Sequence, residues 1–364
     1  MPQPIALEKT VIEQMTVSLE PARNVLSSMV LLTHEDTSGL HEWVTKTRAQ
    51  FSKDEIFRHK LVILGLFYAV APELGWSSFP AYLDHLSKIN PEALREKLLN
   101  SYAQVKSEMF CAQDKEVAEV QWEEVLSSVD RYIDFLESSF GKENVDHEIE
   151  SEAYRYVMDP PAMKKLIVDH LRWIWNVHLA EEWNRVQPML QASVNAFQTT
   201  DLNMMDRMDA VRFVTGQDLD EAKWKLLATA RNVIFIPNAH IGPYVTKVCF
   251  ANTLAVVFGA RVPENSDVRI PDLDRAELVV RLSAIADETR LRILQMVVEN
   301  GEIRSQDIMD AMSLSQPSVS RYLTQLTATG YLQERRSDGA KVYILNRERI
   351  KKTLKAVSAF LLGS

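Results

Sequence analysis

Residues 313–330 read Ser-Leu-Ser-Gln-Pro-Ser-Val-Ser-Arg-Tyr-Leu-Thr-Gln-Leu-Thr-Ala-Thr-Gly. The pattern is that of a short helix with two unlike faces, closed at Gly330. Val319, Leu323 and Leu326 share one face and can pack inward. Gln316, Ser318, Ser320, Arg321, Tyr322 and Gln325 are left to face out. They can donate hydrogen bonds and include no acid, which suits a helix entering a negatively charged groove. The capped start of the helix, with Ser315, adds backbone N–H groups for a phosphate.

The flanking segments extend the pattern. Leu273 to Ala286 is an amphipathic helix. Asp287-Glu288-Thr289-Arg290 starts a second helix carrying Leu291, Ile293, Leu294, Met296 and Val297, ended by Asn300-Gly301. Ser305 is expected to cap a short third helix with Ile308, Met309 and Met312. After Gly330, Tyr331–Arg336 and Lys341–Leu345 flank Ser337-Asp338-Gly339, a hairpin turn. Its Arg335, Arg336 and Lys341 are candidates for the DNA backbone. A last helix runs from Arg347 to Leu361. This order is that of a winged helix-turn-helix.

At these residues the chain resembles a known family. Asp287-Glu-Thr-Arg-Leu-Arg-Ile-Leu294, Leu314-Ser-Gln-Pro-Ser-Val-Ser-Arg-Tyr-Leu323, and Gly330-Tyr-Leu followed by Arg335-Arg336 look like ArsR-type winged helix transcriptional regulators. The resemblance covers about 270–364. It implies that the fourth helix reads DNA and that the first and last helices form a dimer interface. The stripe Ile350, Leu354, Val357 and Leu361 agrees, since a lone small domain cannot fully cover it. Packing of that stripe on the rest of the chain is the other possibility. Metal sensors of the family place cysteines on the third helix, or Asp and His ligands on the last. Here the third-helix region has no Cys and the last helix has neither His nor Cys, so those usual metal sites are absent. Tyr322 stands where many members carry His.

Upstream, the charge changes sign. The chain has 364 residues and a net charge of −9. From Leu273 onward there are 14 basic and 11 acidic residues, which leaves 27 basic and 39 acidic before it. An acidic body and a mildly basic tail imply two jobs in one chain. The length allows two to three domains at roughly 150 residues each. We expect a body over 1–265, a Pro-containing linker at 266–272, and the winged helix over 273–364. The class is α+β and mostly helical, with a small sheet in the body.

That sheet is expected from the two ends of the body. Lys9–Leu19 reads as one strand, Asn232–Pro237 as another, and Tyr244–Phe250 with Thr253–Val262 as a hairpin. Helices are expected from Ser52 to Ala71, with Ser52 and Glu55 as a capping box, from Pro91, over 114–140, and over 162–197. Lys142–Glu152 reads as a polar surface loop.

The helix from Ala162 is apolar nearly all round, so it is central in the body. It brings His170, Trp173 and His178 forward as pocket candidates, with core residues as the alternative. Asn238 and His240 follow a buried-looking strand where Gly242-Pro243 bends the chain; they line a pocket or satisfy local backbone. Neither group is a clear metal site, and no cofactor is expected. Cys111 and Cys249 cannot make a disulfide framework and read as lone thiols. There is no signal-peptide pattern, and the run Leu61–Ala71 is short of the roughly 20 residues a membrane span needs. A cytoplasmic protein with no membrane partner is expected. No two glycines lie within two residues, so G-x-G-x-x-G is excluded, and G-x-S-x-G and H-E-x-x-H are absent.

The function expected is a sequence-specific regulator of transcription. It would be a dimeric repressor on double-stranded DNA, not an enzyme, whose body senses an unknown signal or holds the dimer, with a small-molecule effector as a candidate partner. The alternatives are a constitutive DNA-binding dimer with a protein-interaction scaffold, and an enzyme-like body tethered to a DNA-binding domain.

Overall fold

The computed structural model describes residues 14–106, 120–217, 224, 227, 230–250, 253–263, 271–337 and 340–362. Strand β1 (Gln14–Val17) opens it. The helices α1 (Pro21–Leu31), α2 (Glu42–Arg48), α3 (Lys53–Lys60), α4 (Phe67–Val70), α5 (Phe79–Lys88) and α6 (Pro91–Lys106) follow. Next come α7 (Trp122–Val125), α8 (Val129–Phe140), α9 (His147–Val157), α10 (Pro160–Ile174), α11 (Ala180–Phe197) and α12 (Arg207–Thr215). Strands β2 (Asn232–Asn238), β3 (Val245–Phe250) and β4 (Thr253–Gly259) close the body.

The sheet has the order β1-β2-β4-β3, parallel except for the β4–β3 hairpin. Its strands come from both ends of the body, as expected. On one face Met15, Val233, Phe235, Leu254, Val256 and Phe258 pack with Val211 and Val214 of α12. On the other, Ile234, Ile236, Ala255 and Val257 join the large helical core with Val25 and Met29 of α1. Burial on both faces is why β2 and β4 read as unbroken apolar runs instead of alternating ones. Cys249 on β3 is buried and disulfide-bonded, which corrects the expectation of a lone thiol there. Cys111 lies outside the described residues.

Local chemistry sets the helix starts. The Ser52 hydroxyl accepts from Glu55 N–H and the Glu55 carboxylate accepts from Ser52 N–H, the expected capping box. Two expectations are corrected. The 114–140 pattern is not one helix, because the Ser128 hydroxyl accepts from Arg131 N–H and starts α8 afresh; residues 107–119 lie outside the described ones. Lys142–Glu152 is not a loop throughout. Asp146 caps α9 by accepting from the N–H groups of Glu148 and Ile149. Ile149, Ala153 and Val157 recur at i, i+4 and i+8 and are buried, a stripe hidden among acids. Helix 162–197 is confirmed as α10 and α11, joined through a π-helical turn at Trp175–Leu179.

The second unit begins with α13 (Pro271–Ile285), so the helix starts within the stretch expected as linker. Then come α14 (Glu288–Asn300), β5 (Glu302–Ile303), α15 (Ser305–Met312), α16 (Gln316–Ala328), β6 (Leu332–Ser337), β7 (Ala340–Leu345) and α17 (Arg347–Leu362). Asp287 caps α14, and Gly301 ends it at φ +78. The cap at α15 is reversed from expectation: the Asp307 carboxylate accepts from Arg304 N–H. Strands β5-β7-β6 form a three-stranded antiparallel sheet. The tip of the hairpin, Asp338-Gly339, lies outside the described residues. This is a winged helix-turn-helix around Ile293, Val297, Ile308, Val319, Leu323 and Leu326. Among the described residues no helix is long and apolar enough to cross a membrane.

Candidate nucleic-acid interface

Helix α16 is fixed in rotation by its buried Val319, Leu323 and Leu326. The outward positions follow from that anchoring. Ser315, Gln316, Ser320 and Arg321 are exposed, and Ser318 and Tyr322 are half-buried. The Ser315 hydroxyl pairs with Ser318 Oγ at 2.9 Å and makes no cap. The first-turn N–H groups of α16 therefore remain open to an anion.

Gln325 departs from its expected outward placement; it is 3% exposed. The cause lies far away in sequence. Gly39 takes φ +79, and a Cβ there would lie 3.1 Å from Gln325 Nε2 and 2.7 Å from Tyr244 Oη. A bare glycine lets the body's turn close over Gln325. The Tyr244 hydroxyl donates to the Ser38 carbonyl at 2.7 Å and secures that turn. Beside it, Arg321 Nη1 sits 3.3 Å from Asp36 Oδ2, and Nη2 donates to Ser318 Oγ. The Ser38 hydroxyl, the Ser38 N–H and Arg321 hold the Asp36 carboxyl below the usual range, so it is ionised. Part of the recognition helix thus faces the acidic body.

The wing presents exposed Arg335, Arg336 and Lys341. Arg335 pairs with Glu302 at 2.5 Å and Lys341 with Glu334 at 2.7 Å. Arg336 lies opposite Lys341 on the ladder. Exposed pairs of this kind contribute about 0–1 kcal/mol, so phosphates can displace the acids. On α17, Leu354 is 59% exposed and Leu361 71% exposed, with Val357 half-buried. Ile350 turns inward onto its own domain's core. Helix α13, which packs on α17, exposes Val279.

The body's candidates fall into two clusters. The first surrounds His170. His59 Nε2 donates to the Met29 carbonyl at 2.8 Å, because a carbonyl only accepts. His59 Nδ1 therefore accepts from His170 Nε2 at 2.9 Å. Burial lowers His59 to about 4 and His170 to about 3, so both are neutral. Phe51 and Trp173 pack against His178, which is half-buried. The second cluster was missed by sequence reasoning except for Asn238 and His240. His240 Nε2 is 2.7 Å from Glu182 Oε1, and Nδ1 is 2.8 Å from Ser28 Oγ. Asn238 donates to Asn24 Oδ1 and Ser28 Oγ and accepts from the N–H groups of His240 and Ile241. Trp43 stacks on His240 at 4.4 Å.

Serine, histidine and carboxylate in a chain is the arrangement of a charge relay. Here Ser28 is 2% exposed and its oxygen is enclosed by Asn24, Asn238 and His240. The chain of bonds ties α1, α11 and the end of β2 together. His240 is held below its usual range by burial, against the pull of Glu182. Burial alone would raise Glu182, but His240 and Arg185 together bring it down to about 2. Among the described residues no group of three or more His, Cys, Asp or Glu is arranged to hold a metal.

Comparison with known proteins agrees with this geometry. Residues 287–334 match the arsR family of bacterial regulatory proteins. The chain is similar to the arsenic resistance transcriptional regulator ArsR1 of Pseudomonas putida, 38% identical over 64 residues, which is 18% of this chain and 50% of that protein. It is similar to ArsR2 of the same organism, 35% identical over 85 residues, 21% of this chain and 74% of that protein. The arsenical resistance operon repressor of Escherichia coli is 42% identical over 52 residues, 14% of this chain and 44% of that protein. No solved structure matches the chain. A winged helix-turn-helix with an exposed, acid-free recognition face and a regulator more than 30% identical over most of its own length place this chain in the arsR family of bacterial regulatory proteins.

Proposed function

We propose that this chain is a homodimeric, sequence-specific DNA-binding repressor whose acidic body controls access to its recognition helix. The observation that carries the reading is α16. Ser315, Gln316, Ser320 and Arg321 are exposed on a helix locked by three buried anchors. Arg is the usual partner of a guanine edge, and Ser and Gln can meet base edges or phosphates. The wing cations serve the flanking backbone. The uncovered row on α17 with Val279 of α13 supports a two-fold partner. Two copies would then read half-sites about 34–36 Å apart.

The Asp36–Arg321 pair and the buried Gln325 support control by the body. In the docked arrangement Arg321 is engaged by a carboxylate and Gln325 is covered. DNA binding requires α16 to leave the turn at 36–40. A signal acts by shifting the docked and undocked populations. The arsenic named for the relatives is not carried over, since 287–334 contains no cysteine to supply a thiolate.

The test is selection from a random duplex library by the full-length protein. Enrichment of an inverted repeat is the expected result. Enrichment of a single, unrepeated motif would reject the dimer, and no enrichment at low salt would reject sequence-specific binding.

A further inference from the structure

A cavity of about 650 Å³ lies between the sheet, α1 and the recognition helix. That volume is within the roughly 300–1,000 Å³ of small-molecule sites. The strand register builds it. Ile236, Val257 and Thr246 are neighbours across β2, β4 and β3, and Ala255 lies beside Val248 in the next row. All of them line the cavity. Leu26 and Val30 of α1 form the facing wall. Over β3 the same sheet face is less covered: Thr246 is exposed and Val248 half-buried. Ala255, the smallest side chain of the two rows, leaves the space between them open.

Ser320, Arg321 and Thr324 of α16 also line the cavity, so its occupant and DNA compete for the same helix. The charges of its wall are unequal. Arg23 and Arg321 stand against Asp36 alone, and burial together with Arg48 holds His34 below its usual range. Burial lowers Arg23 to about 10, outweighing the carboxylates of Glu20 and Glu73. With two guanidinium groups and one carboxylate on a largely apolar wall, an anionic partner is favoured.

We propose that this cavity binds a small amphipathic carboxylic acid, its apolar body against the sheet and its carboxylate drawn to the guanidinium groups of the wall, and that the bound acid holds α16 in its docked position. The acid thereby weakens DNA binding, and DNA weakens acid binding by the same factor. The coupling to DNA rests on the function proposed above; the binding itself does not.

The test is calorimetric titration of the full-length protein with decanoate and tetradecanoate, each below its micelle concentration, against decan-1-ol and decylammonium. One acid per chain is expected, bound at least tenfold more tightly than the alcohol and the ammonium compound. Ala255→Leu and Val248→Phe, both filling the cavity, should each weaken acid binding tenfold or more while the melting curve stays cooperative. Val248 stands on the edge strand and tolerates the larger side chain if Ala255→Leu fails to fold. Absence of saturable binding by either acid, equal binding of the alcohol, or unchanged binding in a folded cavity-filling variant would overturn the proposal. A parallel anisotropy titration with the selected duplex separates the two readings. Loss of at least tenfold in DNA affinity with saturating acid supports the coupling, and equal affinity refutes it. A protein that binds the acid but no duplex at low salt refutes the DNA-binding function and leaves the cavity assignment standing.

Discussion

Asp36→Asn should make the protein bind DNA more tightly, although Asp36 lies some 285 residues from the recognition helix in sequence. The carboxylate sits 3.3 Å from Arg321 Nη1, with side chains 36% and 58% exposed. A pair so exposed contributes about 0.2–1 kcal/mol. If the docked state dominates, the whole of that energy passes into the fraction able to bind DNA, which is a tightening of roughly 1.4- to 5-fold. Removing any acid near DNA also raises affinity, so a control is required. Glu35→Gln removes a neighbouring exposed acid, paired with Lys60 at 3.0 Å and not with Arg321. Fluorescence anisotropy on the selected duplex, at several salt concentrations, measures both variants. Asp36→Asn should gain more than Glu35→Gln at every salt, and the excess should vanish in an Arg321→Ala background. An equal gain in the two variants, or an excess that survives Arg321→Ala, would refute the docking argument.

Three other outcomes are expected. Arg321→Ala should cost about 1–3 kcal/mol on the selected site with little loss on random DNA, as competition assays would read; an equal loss on both assigns Arg321 to phosphate. Leu354→Ser with Leu361→Ser should convert the dimer to a monomer in sedimentation equilibrium with the thermal midpoint of the winged helix retained, and a persisting dimer would move the interface elsewhere. The neutral His59–His170 pair makes stability depend on acid. Its folded values, about 4 and about 3, lie below the unfolded 6.5, so the unfolded chain takes up protons first. Stability is fully present above pH 6.5 and falls as pH drops through about 4; a His170→Leu variant should lose part of that slope in thermal melts, and an unaltered slope would place the titration elsewhere.

The winged helix was legible because each of its elements carries its own signal. Val319, Leu323 and Leu326 show a helical period, Gly301 and Gly330 mark stops, and turn residues stand between β6 and β7. Strands β2 and β4 were legible for a different reason, since burial on both faces leaves an unbroken apolar run. Helix α9 was hidden because five of its eleven residues are His, Glu or Arg, and only Ile149, Ala153 and Val157 mark the buried side. The features that depend on distant partners were not legible. Gln325 has the polarity of a DNA-facing residue and is covered because Gly39 has no side chain. The Ser28–His240–Glu182 chain is made by bonds between residues 212 and 58 positions apart, with no local pattern to tie them. The cavity follows from the register of three strands, which pairs Ala255 with Val248. His170 and His240, each a pocket candidate in the sequence, occupy two separate buried networks.

The most direct measurement is a footprinting titration of the full-length protein on the DNA upstream of its own coding region, at two salt concentrations, beside a scrambled fragment. A protected site of two-fold symmetry is expected, with half-sites about 34–36 Å apart and an affinity that falls steeply with salt. Protection of the scrambled fragment to the same extent, or no protection at either salt even with Asp36→Asn, would contradict it.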